Sequence, residues 1–157
     1  MTCQLCLLSP QYLSWSGGTG RLAGPYYVTV FLTAFLKEPS SSPPWLLVNA
    51  DSGATLARQV RAAVDSRSRR QGLLGRTSFD DEALIIAPCS AVHTFFMRIP
   101  LDVIFTDRSG LVMRCSPHVR PWRLAGTLTA FAAIELPAGT IERSGTARGH
   151  RIELRRQ

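Results

Sequence analysis

The sequence predicts a mainly β (α+β) protein, a single β-rich domain with two short helices. Three observations lead there. From Trp45 onward, short apolar runs rich in Val, Ile and Phe recur between Gly, Pro, Asp and Ser signals. No alternating βαβ rhythm is present, which sets aside a doubly wound parallel sheet. The chain has 157 residues, 45% apolar and 18% charged, a globular composition long enough to bury one core.

Residues 1–44 read as an N-terminal extension, expected to be poorly ordered, ahead of a single β-rich domain over 45–157. "SWSGGTGRLAGP" is turn-rich, "YYVTVFLTAFL" (26–36) is an apolar run, and "KEPSSSPP" has linker composition. The run is far shorter than the ~20 residues a bilayer span needs. As a signal-peptide core behind Arg21 it starts late and lacks a convincing small-x-small cleavage site. We therefore expect no transmembrane helix and a cytoplasmic protein, with export or membrane association left open by this run.

Within the domain, "WLLVN" is a strand ending at the turn "ADSGA". "TLARQVRAAV" is ambiguous: Leu56, Val60, Ala63 and Val64 have helical spacing, whereas "TLARQV" alternates like a strand. "DSRSRRQGLLG" is the first helix candidate, capped by Asp65 or Ser66 and stopped by Gly75. "ALIIA" is a buried strand ending at Pro88. "HTFFM" and "LDVIFTD" are strands around the link "RIP", and "LVMRC" is a strand broken by Pro117 and Pro121. "TAFAAIEL" precedes the second helix candidate, "PAGTIERSG", with Pro137 at its start and Gly145 past its end. "RGHRIEL" closes the domain, giving about seven strands.

Four stretches, "RRQGLLGR", "VHTFFMRIPLDVIFTD", "RPWR" and "ELPAGT", occur in that order. In this the chain resembles the domain-of-unknown-function family 192 over about residues 46–154. The resemblance implies a compact, mostly antiparallel β domain with short helices, for which a β-barrel-like form is expected, and tips "TLARQV" toward strand. It implies no reaction, because none is established for the family. One departure is visible: members usually have Gly-Asp where this chain has Gly149 and His150.

The candidate site lies in the second of those stretches. On strand alternation, Leu101, Val103 and Phe105 point one way, and Asp102, Ile104 and Thr106 the other. An ionised Asp102 beside Ile104 is costly to bury unless it is paired. Arg98, His93 or an arginine of the helix candidate (Arg69, Arg70 or Arg76) could pair with it, and an arginine is the expected partner. Seventeen of the 18 basic residues are Arg, and formal net charge is +7, which favours an anionic partner. Trp122, between Arg120 and Arg123, could stack with a planar anion or nucleobase. The ligand-binding candidates are thus His93, Arg98, Asp102, Arg70, Arg76 and Trp122.

Competing chemistries are less well served. Cys3 and Cys6 form a C-x-x-C with no strand before it, so a redox motif is not expected. Cys89/His93 and Cys115/His118 have the residue types zinc prefers. Residues four apart on a strand lie about 13 Å apart, too far to share an ion. No metal and no cofactor are expected. A thiol nucleophile at Cys89 with His93 or His118 lacks a recognisable orienting group. Gly139 in "PAGT" could offer backbone N–H groups to an anion, but helix initiation at Pro137 explains it more simply. We therefore expect a binding or accessory module for an anionic small molecule or acidic protein, with nucleic acid a less favoured partner. The alternative is a small enzyme using Cys89/His93 or Asp102.

Overall fold

The computed structural model describes residues 29–30, 35–36, 45–63, 73 and 77–156. The strands are β1 (Thr29–Val30), β2 (Trp45–Asn49), β3 (Thr55–Ala57), β4 (Gln59–Ala63), β5 (Glu82–Ile86), β6 (Ala91–His93), β7 (Leu101–Thr106), β8 (Val112–Val119), β9 (Leu124–Gly126), β10 (Ala132–Pro137) and β11 (Ile152–Arg156). One helix, α1 (Thr140–Ser144), has defined bounds among them. They form three sheets, ordered β1-β11-β2-β3, β4-β5-β10-β7-β8 and β6-β9. Neighbours pair antiparallel except β4 and β5, which run parallel.

The fold is mainly β, as expected, with two corrections. No closed barrel forms among the described residues; the sheets remain separate. Of the two expected helices, "PAGTIERSG" supplies α1, which starts at Thr140 and not at Pro137 because Pro137 ends β10, whereas the candidate at 65–75 lies outside the described residues apart from Leu73. "TLARQVRAA" (55–63) is strand, but it is cut at Arg58 and serves two sheets. The Arg58 and Gln59 N–H groups both donate to the Asp81 carbonyl, and Arg58 N–H also lies 3.1 Å from Asp81 Oδ1. That pin hands the chain from one sheet to the next.

The five-stranded sheet is the middle layer, because β7 is buried along its whole length. Ile104, Ile85, Ile134 and Leu136 face one core, closed by Leu47, Leu56, Ile152 and Leu154 of the four-stranded sheet. Leu101, Val103, Phe105, Leu84 and Ile86 face the other, closed by Val92 and Ala125 of the β6–β9 pair, with Cys89, Met97 and Leu73. The alternation read from "LDVIFTD" thus divides two cores. Gly126 is needed where β9 meets β6, since a Cβ there would lie 2.7 Å from Ala91 Cβ.

Two pieces of the N-terminal extension touch the domain. Thr29–Val30 pairs with Arg155 and Leu154 of β11. Phe35 is 2% exposed in the first core, its ring edge-on to Trp45 at 5.9 Å. Leu36 is half-buried against the same core, and the rest of residues 1–44 lies outside the described residues. Truncation to Pro44 should therefore lower stability by about 3 kcal/mol, the usual cost of losing a buried Phe. A truncated chain whose denaturant midpoint matches that of the full chain would show that Phe35 contributes nothing.

Candidate functional site

Asp102 is fully buried, and its clamp partners are backbone groups. The His118 N–H donates to Oδ1 at 2.8 Å, and the Ile141 N–H to Oδ2 at 2.7 Å. An arginine was expected; a β-bulge supplies the alternative. In the β7–β8 register Leu101 faces Val119 and Val103 faces Ser116, so Pro117 and His118 together oppose Asp102. Pro117 has no N–H to give, and His118 turns its own toward the carboxylate with φ 49°. The same bulge lets β8 continue through Pro117, where the sequence suggested a break. A proline is tolerated there because β8 is an edge strand.

Asp102 therefore links α1 to the segment that leads into "RPWR". It also answers the question raised by Gly139. That residue is the α1 N-cap, with no side-chain cap bond, and the carboxylate waiting at Ile141 N–H belongs to the chain itself.

The strand expected at "HTFFM" stops at His93, and the next residues turn. Thr94 ties that turn to "RPWR". Its Oγ1 donates to the Arg120 carbonyl at 2.6 Å and accepts the Arg123 N–H at 2.9 Å. Its main chain pairs with Arg123 O and Trp122 N. Held this way, Phe96 and Trp122 adopt positive φ of 64° and 62°, costly for bulky side chains. The outcome is an aromatic ridge. His93 stacks on Phe95 at 5.0 Å, Phe95 lies 5.8 Å from Trp122, and Trp122 meets Phe96 at 4.7 Å.

Phe96 and Trp122 are 57% and 54% exposed, and Leu124, directly opposite His93 on β9, is 66% exposed. Arg98, Arg120 and Arg123 are exposed beside them. No acid occurs in residues 93–98 or 120–124, and residues 108–134 hold four arginines and no acid. Beneath the ring stack, the His93 Nδ1 is buried and has no hydrogen-bond partner among the described residues.

Thr94 was not a sequence candidate, yet it holds the ridge together. Thr94→Val keeps its shape and removes the hydroxyl bonds, so it should cost about 2 kcal/mol by leaving the Arg123 N–H and Arg120 carbonyl short of a partner. Equal denaturant midpoints for Thr94→Val and the parent would show that the knot is not needed.

Of the sequence candidates, the structure brings together His93 and Trp122. Arg98 follows Phe96 by two residues, just past that turn, and Asp102 is sealed on the opposite side of β7 from the ridge, beside Leu136 and Ile141. Arg70 and Arg76 fall outside the described residues. Cys89 is buried, its thiol donating to the Ala91 carbonyl. The Cys115 thiol is pushed up from its ordinary value by burial and then by the Asp102 carboxylate, away from the reactive thiolate. Among the described residues no group of three or more His, Cys, Asp or Glu could hold a metal ion. A separate polar cleft of about 410 Å³, lined by Arg58, Asp80, Asp81, Thr140 and Arg143, opens beside α1.

Two polar residues escaped notice in the sequence. Glu135 is 6% exposed on β10, paired with Leu84 and Val103, and burial lifts its carboxyl to about 7. A lone acid in "AAIEL", on the face shared with Ala133, was the available signal. Asn49 is fully buried, and its Oδ1 accepts the Asp51 and Ser52 N–H groups. Its Nδ2 must then donate, to Thr146 Oγ1 and His150 Nδ1, each at 3.0 Å. His150 thus provides an acceptor to the buried Asn49 amide. His150→Asp should therefore stay within about 1 kcal/mol of the parent, whereas His150→Leu should cost about 1–2 kcal/mol by leaving the buried amide one partner short. Equal urea midpoints for the two variants would remove His150 from the network.

The family model DUF192, "Uncharacterized ACR", matches residues 47–154. Comparison with curated proteins gave no match. Two crystal structures are similar. One, described as a "putative transcription regulator" from Sinorhizobium meliloti 1021, has 26% identity and TM-score 0.62, covering 70% of this chain and 91% of that one. The other, a protein of unknown function from Novosphingobium aromaticivorans DSM 12444, has 24% identity and TM-score 0.60, covering 87% of this chain and 99% of that one. Among the described residues no helix is long and apolar enough to cross a membrane.

Proposed function

The chain belongs to the DUF192 family, and on that premise we propose that it is a binding or accessory module whose ridge takes an anionic ligand or acidic partner. The observation that carries this is the coincidence of exposed aromatic rings with arginines whose own segments, 93–98 and 120–124, contain no acid and which form no ion pair among the described residues. Large exposed apolar side chains are otherwise scattered singly on a soluble domain. Here Phe96, Trp122 and Leu124 gather on adjoining segments beside Arg98, Arg120 and Arg123. Two strained backbones hold the rings, and strain of that kind collects at working surfaces. The closed Cys89 and the doubly bonded Asp102 favour binding over catalysis.

A thermal-shift panel of phosphorylated small molecules, oligonucleotides and acidic polypeptides tests the assignment, followed by amide chemical-shift mapping of any hit. At least one anion should stabilise the protein and move the signals of residues 93–98 and 120–124. Hits that map only to other surfaces would overturn it. Nucleic acid is the second reading, supported by the description of the Sinorhizobium neighbour and by the stacking capacity of Trp122.

A further inference from the structure

We propose that the occupant of the ridge is a polypeptide segment in which Asp or Glu residues flank aromatic or aliphatic side chains. It rests on the assignment of the ridge as an anion-binding face and adds the class of partner. The first ground is ring geometry. Single-stranded nucleic acid is held by open aromatic faces on which successive bases stack. Trp122 instead meets Phe96 at 63° and Phe95 at 34°, so the rings close into a wedge. His93 and Phe95, at 18°, already occupy one face of each other.

The second ground is Leu124. An aliphatic side chain opposite His93 extends the apolar patch and gives a nucleobase no face to stack on. It suits the burial of another apolar side chain. The third is composition and charge. A core of Trp, Phe and Leu rimmed by Arg is the usual make-up of a protein-binding surface. Three exposed guanidinium groups around that core complement a few carboxylates, each able to take a forked pair of bonds. The Thr94 knot fixes Arg120, Trp122 and Arg123 before any partner arrives, which lowers the ordering cost of binding.

Anisotropy titrations of labelled peptides with the full chain test this. One peptide alternates Glu and Asp with Phe and Leu, a second keeps the acids but replaces the apolar residues with Ser, and a third replaces the acids with Lys. An oligo-dT strand of matching charge completes the set. The first peptide should bind, and the second and third should bind at least about tenfold more weakly, a loss of about 1.4 kcal/mol. Trp122→Ser, Phe96→Ser and the Arg120→Glu/Arg123→Glu pair should each cost the first peptide about tenfold or more. These side chains are exposed, so melting temperatures should stay near the parent's. Tighter binding of oligo-dT than of the first peptide, with the same dependence on Trp122, would overturn the polypeptide partner and leave the anion-binding ridge standing. Binding of every probe unaffected by these substitutions would overturn both.

Discussion

Asp102→Asn is expected to lower stability by about 3 kcal/mol, whereas His93→Ala should change it by less than about 1 kcal/mol. The aspartate accepts two backbone N–H groups from separate elements, and hydrogen bonds to a charged group are worth about 1.5–3 kcal/mol each. Asparagine keeps one acceptor oxygen. Its amide nitrogen must then point a donor at either His118 N–H or Ile141 N–H, and neither can turn away without disturbing the bulge or α1. His93, by contrast, is half-buried and contributes chiefly a ring stacked on Phe95. Urea melts give the two stabilities directly. Hydrogen exchange adds a positional check: the amides of His118 and Ile141 should be protected in the parent and exchange faster in Asp102→Asn. A variant as stable as the parent, with both amides still protected, would show that the carboxylate is not the link between α1 and β8.

The alternation in "LDVIFTD" was enough to predict which side chains of β7 face together, because a strand buried on both faces still obeys a period of two. The cost of burying Asp102 was legible on the same grounds. Its partners were not. Spacing reports charged side chains, whereas the groups used here are main-chain N–H donors exposed by a bulge and by a helix start. "RPWR" and "HTFFM" were each visible as motifs, but their union depends on Thr94, and a lone threonine carries no signal of what it ties. Pro117 was misleading for a definable reason: proline excludes a central strand position, and the sequence could not show that β8 is an edge strand with a bulge there. The barrel was part of the expected fold, and none closes among the described residues. Strand number does not fix closure, since β2, β3 and β11 lie in a different sheet from β5, β7 and β10.

Glu135 should make the protein less stable as pH rises, by about 3 kcal/mol in total. Its carboxyl sits on β10 between Leu84 and Val103, and burial lifts it from an ordinary value of 4.5 to about 7. The neutral form is therefore the one the folded state favours. Below about pH 4.5 both folded and unfolded chains hold this proton, and its contribution is fully present. Between about 4.5 and 7 the unfolded chain releases the proton while the folded chain keeps it, so stability falls by up to about 1.4 kcal/mol per pH unit. Above about 7 the loss is complete. Glu135→Gln preserves the shape and remains neutral throughout, so this slope should vanish. Comparing parent with variant by urea denaturation at pH 5 and pH 8 cancels the other titrating groups. The variant should gain about 2–3 kcal/mol on the parent between those two pH values. Parallel profiles would mean that Glu135 is solvated or paired when ionised, and that the face of β10 bearing it is more open to water than its neighbours Leu84 and Val103 imply.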